Sequence, residues 1–148
     1  MSERKYLPTI GQLCDDLVIK LMKSIFDIEH RNDYLADMKL IKEDIWNFFA
    51  THDLDRKEDK FIHALIVLAL SDREIWLNEA IARKSGKGGR LRYTHSINGI
   101  RNKAKNEINK IFRERLDHKI DCLAADLPPD MGNWDVFNDD GSAPNSPG

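Results

Sequence analysis

The chain has little with which to build a disulfide scaffold, a membrane span or a sheet. It carries two cysteines in 148 residues, Cys14 and Cys122, far apart and without metal-ligand spacing. A stapled secreted domain and a Cys-ligated metal site are therefore not expected. With no signal peptide in view, the two thiols are expected to be reduced, in a cytoplasmic protein. The longest apolar run, "ALIVLAL" at Ala64–Leu70, falls far short of the ~20 residues a membrane span needs. No segment alternates with period two long enough to form a strand, and no internal repeat occurs. At this length one domain with a single core is expected.

Charge is plentiful, at 32% of residues, and segregated beneath a net charge of −2. Residues 1–82 hold 11 basic and 16 acidic side chains, residues 83–119 hold 12 and 3, and residues 120–148 hold none and 6. A basic block between two acidic ones speaks to partners more than to fold: the middle attracts anions and the tail competes for it.

The apolar pattern is helical. Pro8 and the Thr9–Gln12 capping box open a helix whose apolar residues are Ile10, Leu13, Cys14, Leu17, Leu21, Ile25 and Ile28, running to about His30. A second helix begins at Asn32 or Asp33 and ends near Ala50, with Leu35, Met38, Ile41, Ile45, Trp46 and Phe49 as its apolar face. A third, from about Arg56 to Lys84, uses Phe61, Leu65, Leu68, Ile75 and Trp76, with a bend expected near Ser71. Glycines 86, 88 and 89 end it. Thr94 caps a fourth, with Ile97, Ile100, Ala104, Ile108, Ile111 and Phe112 inward. A short fifth helix over Asp117–Leu127 stops at Pro128-Pro129. The expectation is an all-α fold: a compact bundle of four main helices over residues 1–127 and an acidic tail over 128–148, disordered at "GSAPNSPG".

The stretch "SGKGGRLRYTHSINGIRNKAK" (residues 85–105) is where this chain concentrates anion-binding chemistry. Its glycines let backbone amides turn toward one point, and the following helix start adds free amides with partial positive charge. Lys87, Arg90 and Arg92 would meet phosphate; Tyr93 or Trp76 would stack on a base. His95, Asn98, Asn102 and Lys105 form a polar stripe with Arg101 at its edge. The apolar row of the third helix meanwhile passes through Asp72 and Glu79, carboxylates that need a cation if buried. Either these pair with Arg101 or His95 to fix a helix crossing, or all of them line a polar cleft. The loop is no Walker A motif, since it follows a helix and Lys87 precedes a glycine.

Three functions compete for these residues. The first is non-catalytic binding of a phosphate-bearing small molecule, a nucleotide or nucleotide-derived signal, by a homo-oligomer. The second is nucleic-acid binding, with Lys103, Lys110, Arg113 and Arg115 extending the cations and the tail (Trp134, Phe137) as competitor. Aromatics are few there, Tyr93 and Phe112, so single-strand stacking would be poor. The third is hydrolysis: His30, His52-Asp53 and Asp117 resemble in order the H…HD…D of helical metal-dependent phosphohydrolases. His52-Asp53, however, lies in the charged connection "THDLDRKEDK" rather than in an apolar setting. No cofactor and no membrane partner is expected.

Overall fold

The computed structural model describes residues 6–52, 58–85, 91–117 and 132–137. Four helices dominate: α1 (Ile10–Phe26), α2 (Arg31–Thr51), α3 (Glu58–Ser85) and α4 (Leu91–Ile111), with a 3-10 turn at Ile28–His30 between the first two. The described residues contain no strand, so the chain is all-α. None of these helices is long and apolar enough to cross a membrane. The fifth helix, the disordered end and Cys122 fall outside the described residues, apart from Asp117, which is not helical.

Helix starts and stops follow local chemistry. Thr9 caps α1 by accepting the Gln12 amide on Oγ1 at 3.2 Å. Gln12 does not close the capping box; its side-chain amide donates to Asp16 at 2.8 Å instead. α4 begins three residues before Thr94, which therefore lies inside the helix and not at its cap. Its far end is a Schellman turn. Arg113 takes a left-handed φ of 56°, and the amides of Arg113 and Glu114 return to the carbonyls of Lys110 and Asn109. α3 is continuous through Ser71, whose hydroxyl is absorbed by the Leu68 carbonyl at 2.9 Å.

The core lies where α1 meets α3 and α4. Ile10, Cys14, Ala64, Val67, Leu68, Ile100, Ala104, Ile108 and Phe112 form it. The inward row of α4 is thus the expected one. A cage of rings closes one end, with Phe48, Phe49 and Phe61 each edge-on to Phe112 at 5.3 to 5.8 Å. Trp134, Val136 and Phe137 of the tail pack against this core, and Trp134 also reaches Ile97. Burial pushes the Cys14 thiol up to about 12, so it stays protonated and behaves as a small apolar residue.

Two expectations of burial fail. No residue of α2 is buried, and Leu35 and Trp46 of its expected inner face are exposed. Likewise Leu21, Ile25 and Ile28 are exposed, although they continue the α1 stripe. The physical reason is that an apolar stripe records which face seeks cover, not which neighbour supplies it. α1 is enclosed by α3 and α4 over its first half, while α2 lies along α1 and reaches the core only at one end, through Ile45, Phe48 and Phe49.

Candidate functional site

A polar cluster sits in the core between α1, α3 and α4. The row Asn98–Arg101–Lys105–Asn109 of α4 faces α1, and each member meets a partner there or beside it. Arg101 donates from Nε to both oxygens of Asp15 at 3.1 Å and from Nη2 to Oδ2 at 2.5 Å. Its Nη1 reaches the Asn98 carbonyl oxygen at 3.4 Å. Asp72 of α3 approaches the same guanidinium, with Oδ1 at 3.0 Å from Nε. One turn on, Lys105 donates to Gln12 at 3.2 Å. One further turn on, Asn109 accepts the Gly11 amide at 2.7 Å. Helix α1 contributes these groups on a second row, Gly11 and Asp15, beside its apolar stripe.

Asp15 is wholly buried and Asp72 is 3% exposed, so two carboxyls share one guanidinium in a low-dielectric site. They cannot both ionise cheaply. Burial raises Asp72 most, followed by its hydrogen bond to Asp15 and the Asp15 charge; Arg101 and Lys105 pull the other way, and the result is a group pushed up to about 9. Asp72 is therefore a neutral acid at pH 7. As a bare carboxylate its Oδ2 would have no hydrogen-bond partner. For Arg101, burial acts downward, yet the bond to Asp15 and the charges of Asp15 and Asp72 outweigh it, and the guanidinium is held up.

This has a pH consequence. The unfolded Asp72 releases its proton near 3.8, whereas the folded one keeps it to about 9. Between those values the folded chain binds the extra proton, so stability falls as pH rises through that window. Asp72→Asn keeps a neutral, hydrogen-bonding side chain and has nothing to lose. Thermal unfolding of the variant between about pH 5 and about pH 9 is expected to fall by several degrees less than that of the parent chain. Parallel profiles would mean that Asp72 is ionised throughout.

The sequence-derived site is only partly assembled. Asp72, Asn98, Arg101 and Lys105 come together. Lys87 and Arg90 lie outside the described residues; Arg92 and Tyr93 occupy the first turn of α4 with side chains also outside them. His95 is exposed and Asn102 half-buried, on the outer edge of the stripe rather than in it. Arg101, expected at the edge, is its centre. Glu79 is exposed, not on the core face: α1 ends at Phe26, whose ring stacks on Trp76 at 6.0 Å, and Glu79 lies past that cover. Trp76 also carries the Arg83 guanidinium over its ring at 5.8 Å, which occupies the flat face proposed for a base.

Sequence reasoning missed Gly11, Asp15, Asp16 and Asn109. Of the residues in the hydrolase order, Asp53 lies outside the described residues, and His30 and His52 flank α2, about 30 Å apart at 1.5 Å per residue. His30 contacts Asp27 at 3.1 Å, and His52 stacks on Phe48 with ring centres 3.8 Å apart. No group of three or more His, Cys, Asp or Glu among the described residues could hold a metal ion. No protein-family model, curated protein or solved structure matches the chain.

Proposed function

We propose that this protein is a non-catalytic binding protein for a phosphate-bearing small molecule, a nucleotide in the first instance, held along the first half of α4 in a cytoplasmic setting. The observation that carries this reading is the inward turn of the α4 polar row immediately behind a cation-rich helix start. The Arg92 position lies in the first helical turn, where backbone amides are unpaired and the dipole favours an anion. Asn98 stands about 10 Å further along the axis, the reach from a phosphate to the edge of a base. Lys87, Arg90 and Arg92 take the phosphate; Asn98 and Asn102 take polar edges. Arg101 and Lys105, engaged by Asp15, Asp72 and Gln12, fix the Asn98 platform in place and do not themselves hold phosphate.

A second reading, nucleic-acid binding, is favoured by one observation. Lys110, Arg113 and Arg115 are exposed at the opposite end of α4 from Arg83 and Lys84, about 30 Å away along the axis. A spread of cations suits a polymer backbone. Of these, Lys110 is already paired with Glu107 at 3.2 Å, and Arg115 is folded over Tyr6 and the Leu7 carbonyl. The small-ligand reading is therefore preferred.

Thermal shift against mono-, di- and cyclic nucleotides and short oligonucleotides, at two salt concentrations, separates the two. Binding at about 100 times Kd adds about 2.7 kcal/mol, a rise of several degrees for a chain of this size. The expected result is a salt-tolerant shift with one small nucleotide that Arg92→Ala abolishes. A shift with oligonucleotides alone, lost at high salt, would replace this reading by the second.

A further inference from the structure

The outer face of α3 carries a second apolar stripe that the described elements leave uncovered. Ile62, Ile66, Leu70, Leu77 and Ile81 are between 37 and 63% exposed. With Arg73 they fall within about a third of the helix circumference, opposite the buried row Ala64, Leu68, Ser71 and Asp72. From Ile62 to Ile81 the stripe runs about 28 Å. An uncovered apolar face this long on a helix is an interaction surface, not scattered surface hydrophobicity.

Two features of the stripe identify its occupant. Its order is palindromic: Ile62, Ile66, Leu70, Arg73, Leu77 and Ile81 are spaced four, four, three, four and four residues apart, the same from either end. Its ends carry opposite charge, Glu58 and Asp59 in the first turn and Arg83 and Lys84 in the last. Turned end for end, the stripe matches itself, with Ile62 against Ile81, Ile66 against Leu77, Leu70 against Arg73 and Asp59 against Lys84. We infer that the partner is a second copy of this chain, paired through α3 antiparallel about a two-fold axis near Ser71–Asp72. Such an isologous contact places every residue twice in complementary surroundings. Antiparallel helix dipoles and the end charges reinforce the alignment, which a parallel pair would oppose.

The rim is built as well. Arg73 does not point its charge at the axis: its guanidinium lies over the Phe26 ring at 4.5 Å. Phe26, half exposed on the same side, widens the apolar face and continues it onto α1. A single helix pair with this rim belongs at the lower end of specific interfaces, about 1,200 Å² in total. Micromolar association is therefore expected rather than nanomolar.

Sedimentation equilibrium of the full chain from about 1 to about 300 µM tests the proposal. The expected result is a monomer–dimer equilibrium. Leu77→Glu, at an exposed position, is expected to weaken it at least about tenfold while circular dichroism keeps the helical signal. The charge exchange fixes the orientation. Asp59→Lys and Lys84→Glu should each weaken the dimer several-fold, and the double variant should restore it. A chain that stays monomeric throughout, or a dimer indifferent to Leu77→Glu and to Ile66→Glu, would overturn the inference. Failure of the double exchange to rescue would overturn the antiparallel register.

Discussion

Arg101→Met is expected to destabilise the fold by about 3–5 kcal/mol at pH 7, because it leaves the buried Asp15 carboxylate without its cation. For a chain of this size that is a fall in Tm of about 10 °C. The wholly buried Asp15 receives three of the donations made by this guanidinium, and no other cation is described within hydrogen-bonding distance of it. The penalty belongs to the stranded charge more than to the lost bonds. Two corollaries distinguish this from simple loss of packing. Adding Asp15→Asn should recover at least half of the loss, and the gap between Arg101→Met and the parent should narrow below about pH 4, where carboxyls protonate. Urea unfolding at the two pH values reads both. A loss under about 1 kcal/mol would show that the cluster reorganises freely, and the assignment of Arg101 as its keystone would be wrong.

Gly11→Ala should also be costly, although alanine is the better helix former by about 1 kcal/mol. A Cβ at Gly11 would stand 2.5 Å from the Lys105 carbonyl oxygen and 2.7 Å from Asn109 Oδ1. The first of these is helix backbone and cannot swing aside. α1 must then move off α4, which strains the core by about 1–3 kcal/mol. The same shift breaks the buried bond from the Gly11 amide to Asn109, leaving a buried donor at a further cost of about 1–3 kcal/mol. The opposing terms leave a net loss of about 1–5 kcal/mol. Chemical denaturation would measure it. A stabilised Gly11→Ala protein would mean that the two helices are not in contact at that point.

Periodicity located the four helices within a few residues, because a 3.6-residue repeat is a local property of the chain. The inward face of α4 was equally legible: Ile97, Ile100, Ala104 and Ile108 are all buried. The burial of α2 was not, since Leu35 and Trp46 mark an apolar face without saying what meets it. Asp72 was legible as a carboxylate on a core row, and so was the need for a cation. Its partner became clear only from the crossing of three helices, which rotates Arg101 to the middle of the stripe and His95 out of it. Asp15 was missed because it lies beside the main apolar stripe. The available signal was the pair Gly11 and Asp15 of α1, facing the row Asn98, Arg101, Lys105 and Asn109 of α4. Small and polar residues at helical spacing on two helices indicate a close crossing with a polar seam.

The bond from Gly11 to Asn109 joins residues 98 positions apart, and this has a bearing on the order in which the molecule is made. α3 and α4 are separated by a short connection and meet as soon as both exist. α1, though first to be synthesised, lacks a partner for one of its opening amides, and for the charge of Asp15, until α4 has been added. At roughly 5–20 residues per second that interval is about 5–20 s. During it the face of α1 bearing Ile10, Cys14 and Asp15 can meet α3 through Ala64, Val67 and Leu68, but the side of the core that α4 supplies is missing, and a helix this short is marginal in isolation. Closure of the polar seam between the first helix and the last is thus timed by the arrival of the last.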